Sequence, residues 1–211
     1  MTLIAFVSIP GGGSTTLTRG LSKALKGTGF WLSEAVEQSQ EFHLPADNFT
    51  FGLRTRLRLL RIKQLYEAQK VSHSGGIAIV DGYYDKLMRF YLGQQGTSWI
   101  MKPDNLYFNA TKEIAEIDYR ELPNADIVIG LRLTQDIWKV FLNARRRPLD
   151  LDIHFQNECF SAQEIFLNAA QQYCHDFNKT YIEVNQCFGP IEQNIKNIQK
   201  KLKQIASKKL T

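Results

Sequence analysis

The run Ser8-Ile9-Pro10-Gly11-Gly12-Gly13-Ser14-Thr15-Thr16 constrains this chain more than any other segment. Before it, Leu3 to Ser8 is a short apolar stretch that reads as a buried strand. After it, Thr15 to Lys26 reads as a helix with Leu17, Leu21, Ala24 and Leu25 on one face. A strand, a glycine-rich turn and a helix start together make an anion cradle. Glycines let backbone N–H groups turn inward, and the helix dipole favours negative charge. Gly13 holds the last-glycine position of the phosphate-loop motif, and Thr15 the position of its magnesium-binding hydroxyl. Ser14 stands where the motif has lysine, and Ser8 where it has its first glycine. Gly11, Gly12, Gly13, Ser14, Thr15 and Thr16 are therefore expected to bind phosphate without the usual cation.

Downstream segments keep the same alternation. Gly27 and Gly29 end the first helix, and Phe30 to Leu32 reads as a second strand with Glu34 just past its end. Phe49 to Val71 is a long amphipathic helix with Leu53, Leu57, Leu60, Gln64 and Ala68 along one stripe. Gly76 to Val80 is a third strand ending on Asp81, and Tyr83 to Leu92 is a helix. Gly93 to Tyr107 is polar and irregular, a candidate mobile loop. Ala110 to Leu122 is helical, Ala125 to Leu133 is a fourth strand, and Thr134 begins a helix running to about Arg147. Ser161 to Phe177 reads as a helix opened by a Ser161–Glu164 capping box. Thr180 to Val184 is the fifth strand, and a helix from Ile191 carries Ile195, Ile198, Leu202 and Ile205 on one face. Strands alternating with helices imply a parallel sheet covered on both faces, with ligands at the carboxyl ends of the strands. Ser8, Glu34 and Asp81 all fall there. The fold class is α/β: a P-loop three-layer αβα sandwich with a five-stranded parallel sheet, one domain over 1–211. A Rossmann-type dinucleotide fold is the alternative, but the first turn lacks the G-x-G-x-x-G spacing.

Composition excludes several classes. With 44% apolar and 22% charged residues over 211 positions, the chain suits one globular domain. No apolar run approaches the ~20 residues of a membrane span, and the first strand lacks the pattern of a signal peptide. The expectation is a cytoplasmic protein with no membrane partner. Cys159, Cys174 and Cys187 form no CxxC pair, which argues against a zinc site or a disulfide framework. The net charge of +5 gathers in Arg54 to Lys70, Arg145 to Arg147 and the tail Lys196 to Lys209. The tail reads as a solvated helix face. The other two clusters suit a polyphosphate, and no nucleic-acid-binding motif accompanies them.

From Leu3 to about Asn185 the chain resembles the deoxynucleoside kinases and, more distantly, the thymidylate kinases. Glu34-Ala35-Val36-Glu37 resembles their Glu-Pro-Val-Glu, so the resemblance implies Glu34 as general base on the acceptor hydroxyl. Phe51 to Leu65 is similar to their substrate helix. Arg61 matches its arginine, while Arg54 replaces the base-reading glutamine seven residues earlier. An arginine only donates hydrogen bonds, so an anionic group or carbonyl suits that position. Asp81-Gly82-Tyr83, followed by Tyr84, resembles the acid–Arg motif at the third strand's end, with the acid kept and the arginine lost. Asp126 to Leu133 matches the family's fourth strand. Arg145-Arg146-Arg147-Pro148-Leu149-Asp150 resembles its lid, spanning about 141–160, with Phe141 at an earlier arginine position. The resemblance implies ATP and Mg²⁺. Arg145 and Arg147 would grip phosphates, Thr15 and Asp81 would face the metal, and Glu34, Arg54, Arg61 and Tyr84 would face the acceptor.

Two readings follow. One is an ATP-dependent kinase acting on a deoxynucleoside or nucleotide. The other is a nucleotide-binding pseudokinase, a sensor or scaffold. The losses at Ser14, Gly82, Phe141 and Arg54 all fall at functional positions and favour the second, while the intact framework and Glu34 favour the first. A homodimer formed through a helix pair is a further expectation from the resemblance.

Overall fold

A computed structural model of the chain describes residues 2–32, 51–145 and 147–208. Glu34 to Glu37, the helix start at 49–50 and Arg146 lie outside these residues, as does the side chain of Leu53.

Five strands make one parallel sheet in the order β2-β3-β1-β4-β5. They are β1 (Thr2–Val7), β2 (Thr28–Phe30), β3 (Ile77–Val80), β4 (Ile127–Arg132) and β5 (Thr180–Asn185). The helices are α1 (Ser14–Leu25), α2 (Phe51–His73), α3 (Tyr84–Tyr91), α4 (Phe108–Glu121), α5 (Gln135–Arg145), α6 (Ile153–Ser161), α7 (Gln163–Asp176) and α8 (Ile191–Lys208), with a 3₁₀ turn at Pro148–Leu151. Strands buried on both faces read as continuous apolar runs, and β1 places alternate residues in two cores. Leu3, Ala5 and Val7 pack with Ala68 of α2, Tyr91 of α3 and Phe166 and Tyr173 of α7. Ile4 and Phe6 pack on the opposite face with Leu17 and Leu21 of α1 and Ile195 and Ile198 of α8. The result is the expected three-layer sandwich. Among the described residues no helix is long and apolar enough to cross a membrane.

Several local expectations change. The second strand lies two residues earlier than its apolar residues suggest, because Thr28 to Phe30 is the part that pairs with Ala78 to Val80. The helix expected at Ser161 to Phe177 is α7, which begins two residues later at Gln163 because Ser161 ends a separate helix, α6, and no capping box forms. Ser161 Oγ instead donates to the Glu158 carbonyl at 2.7 Å, and Glu164 pairs with Arg132. Gly93 to Tyr107 is tied into the core. Thr97, Ile100 and Met101 are buried, and Trp99 stacks on Phe166.

Candidate functional site

The outgoing crossover of β1 runs to one side of the sheet and that of β3 to the other. Their carboxyl ends therefore open a crevice at a topological switch point, where such sheets bind ligands. The loop after β1 and Asp81 after β3 meet there. Gly11 and Gly13 adopt φ of 79° and 80°, the left-handed region that glycine enters without strain. Gly12 N–H donates to the Ile9 carbonyl at 3.0 Å, and Gly13 precedes the first residue of α1, Ser14. Ser14 is half-buried and Thr16 exposed. Thr15 Oγ1 donates to Asp81 Oδ2. Asp81 caps no helix: α3 begins after Tyr83 without a side-chain cap.

Four further side chains frame the loop. Tyr84 Oη donates to the Ser8 carbonyl at 3.3 Å, and Trp138 Nε1 donates to the Pro10 carbonyl at 2.8 Å. Gln186, just after β5, donates through Nε2 to the Gly12 carbonyl. The Phe141 ring lies 3.3 Å from where a Cβ on Gly13 would be. None of these four is cationic. Burial, and then the charge of Asp81, push the Tyr84 phenol well above its usual range, so it remains a hydroxyl donor.

The basic residues are organised by carboxylates. On α2, Arg61 sends Nε and Nη2 to the two oxygens of Asp85 at 2.6 and 2.8 Å. Burial opposes its charge, but Asp85 outweighs burial and Arg61's pKa is raised. One helical stretch earlier, half-buried Arg54 feels burial and then Arg61's like charge, which bring its guanidinium down to about 10. Arg61 also sits 6.0 Å from the Tyr84 ring centroid, so this pair borders the crevice. At the far end of α5, Arg145 binds Asp150 through Nε and Nη2, and Arg147 N–H donates to Asp150 Oδ2 at 3.1 Å. Asp150 is almost completely buried and ties the end of α5 to the 3₁₀ turn.

The structure thus brings Thr15, Asp81, Tyr84 and the glycines into one crevice, with Arg61 and Arg54 at its side. Arg145 and Arg147 gather on Asp150. Among the described residues no group of three or more His, Cys, Asp or Glu side chains forms a metal cluster. Trp138, Gln186 and Asp85 are site-framing residues that sequence reasoning misses, and Asp150 enters it only as the end of the lid-like run. Their roles depend on which strand and helix ends meet, and no local pattern carries that. Phe188, 68% exposed on the loop that Gln186 ties to Gly12, is another.

The sheet order, the switch-point loop and the flanking helices define the P-loop α/β kinase fold. The solved structures agree. Deoxyadenosine kinase from M. mycoides with bound dATP superposes with a TM-score of 0.70 at 19% identity, covering 96% of this chain and 100% of that one. Thymidylate kinase from Candida albicans gives 0.57 at 18% identity over 97% of this chain and 92% of that one. Shikimate kinase from Acinetobacter baumannii in complex with shikimate gives 0.58 at 15% identity over 100% of this chain and 96% of that one. No protein-family model matches the chain, and no curated protein matches it by sequence.

Proposed function

We infer that the chain is a divergent nucleoside or nucleoside-monophosphate kinase that uses ATP. The observation that carries this reading is the contact between Thr15 and Asp81 across the switch point. A hydroxyl from the first turn of α1 and a carboxylate from the end of β3 supply hard oxygen ligands of the kind Mg²⁺ takes beside a nucleotide's phosphates. Bound there, Mg²⁺ would neutralise charge that develops on the transferred phosphoryl group. The chain's own part is to bind and orient. The inward-turned loop cradles phosphate, and Phe188 offers its ring to the donor base. Arg54 and Arg61 face the acceptor side, and Arg145 and Arg147 lie on the lid. Glu34 is the base that the sequence offers to the acceptor hydroxyl. The M. mycoides enzyme is described with dATP bound and with dCMP as a product, and a deoxynucleoside or its monophosphate suits a site lined by donors.

A second reading, a pseudokinase that binds nucleotide without transferring phosphate, rests on the loop's surroundings. Phe141 faces Gly13 where the resemblance has an arginine, and position 82 carries no side chain. Incubating the protein with γ-labelled ATP, Mg²⁺ and a panel of deoxynucleosides and monophosphates separates the two. Labelled product with any acceptor is the kinase result; ATP binding without product from the whole panel leaves the pseudokinase.

Ser14→Lys tests the loop directly. Ser14 begins α1 and is half-buried, so a lysine fits without disturbing the core. A lysine aimed at the β and γ phosphates is expected to tighten ATP binding on the order of tenfold, the value of one charge-assisted hydrogen bond. An unchanged dissociation constant in a calorimetric titration counts against a phosphate role for this loop.

A further inference from the structure

Ser8 has no role in the motif; its position normally holds glycine. In this chain it is 2% exposed, and among the described residues its Oγ has no hydrogen-bond partner. A Cβ placed on Gly12 would lie 2.8 Å from both Ser8 Cβ and Ser8 Oγ. The Ser8 side chain therefore fills the space under the loop that a side chain at 12 would need. Ser8 and Gly12 are a complementary pair: the hydroxyl is admitted because the middle glycine of the loop is bare.

A buried hydroxyl without a partner is a standing cost, and native structures seldom keep one. The other groups around it are already engaged. The Ser8 carbonyl accepts from Tyr84, Gly12 N–H donates to Ile9, the Gly12 carbonyl accepts from Gln186, and Thr15 donates to Asp81. The Ser8 hydroxyl is thus a donor without a partner among the described residues, set against Gly12 between the left-handed glycines at the start of α1, where the helix dipole and first-turn amides favour an anion. We propose that Ser8 is a phosphate-binding residue, its hydroxyl donating from the floor of the loop to the oxyanion that the loop amides hold. The loop then recognises phosphate through neutral donors, with Ser8 partly replacing the charge that the lysine position lacks. This inference rests on the phosphate-binding reading of the loop.

The experiment compares wild type with Ser8→Ala, which removes one oxygen and adds no bulk. ATP with Mg²⁺, inorganic tripolyphosphate and adenosine are titrated calorimetrically, and thermal unfolding is followed without ligand. The expected result is about tenfold weaker binding of ATP and tripolyphosphate. Adenosine affinity is unchanged, and the melting temperature is unchanged or higher because an unpaired buried hydroxyl is gone. Equal ATP affinity in the two proteins overturns the role of Ser8 and leaves the loop's phosphate role standing. If wild type binds neither ATP nor tripolyphosphate, the phosphate reading of the loop falls, and this inference falls with it. A variant that loses ATP affinity and also melts several degrees lower, or that loses adenosine affinity equally, assigns Ser8 to packing and overturns the inference.

Discussion

Asp85→Ala is expected to destabilise the protein by about 3 kcal/mol, the range for removing one partner of a buried ion pair. Asp85 is buried at the start of α3, and both of its oxygens receive hydrogen bonds from Arg61 of α2. The substitution leaves a guanidinium with mostly protein around it, and Arg54 already places a like charge nearby. Asp85 also lies in the first turn of α3, where a carboxylate is favoured by the helix dipole. For a chain of this length the loss corresponds to roughly 6 to 12 °C in melting temperature. Replacing both partners by apolar residues of similar size is expected to recover most of it, because no charge is then stranded. Chemical denaturation of the single and double variants checks this. A single variant as stable as wild type would sink the account of Arg61 as a buried, carboxylate-held cation.

The second large effect concerns an attempt to restore the missing arginine. Gly82→Arg is expected to destabilise the protein by about 3 kcal/mol and to give no gain in ATP affinity or turnover. Gly82 adopts φ of 88°, which a side chain enters only with strain of about 1–3 kcal/mol. The Tyr84 ring lies 2.5 Å from where its Cβ would be, so the ring must move as well. Overpacking of this sort costs about 1–3 kcal/mol. Displacing Tyr84 also breaks its hydrogen bond to the Ser8 carbonyl, which steadies the floor of the loop. Gly82→Ala isolates the backbone strain from the bulk. A fully stable Gly82→Arg protein with tighter ATP binding would show that the position is merely vacant. The expected outcome contrasts with Ser14→Lys: the first loss is built into backbone and packing, the second is a side-chain change on an accommodating helix start.

A similar contrast separates the two halves of the basic equipment. The resemblance gives the arginines at 145 and 147 as a phosphate grip, and the structure holds the Arg145 guanidinium on Asp150, which Arg147 meets through its backbone N–H. That carboxylate orients the fork of Arg145 from below, as carboxylates do for bidentate arginines. Arg61 is likewise held by Asp85. Nothing in its local pattern marks Asp85, whereas Asp150 closes the lid-like run, and tertiary structure adds its pairing with Arg145.

Much of the fold is legible in the residue order. Continuous apolar runs at Leu3–Ser8, Gly76–Val80 and Ala125–Leu133, separated by segments of helical period, specify a parallel sheet with both faces covered. That follows because a strand apolar on both sides must be buried on both sides. The glycines at 11 and 13 announce the loop, since only glycine enters those backbone angles freely. Thr15 is legible as the loop motif's hydroxyl and Asp81 as a strand-end acid. Tertiary structure alone decides that they touch, because sheet order 2-3-1-4-5 is set by packing between segments far apart in the chain. It alone decides that Gly82 is locked beneath Tyr84, that Gln186 and Trp138 clamp the loop, and that the Ser8 hydroxyl lies buried against Gly12. Each of these is a contact between strand or helix ends, and periodicity reports which face a residue takes but not what it meets there.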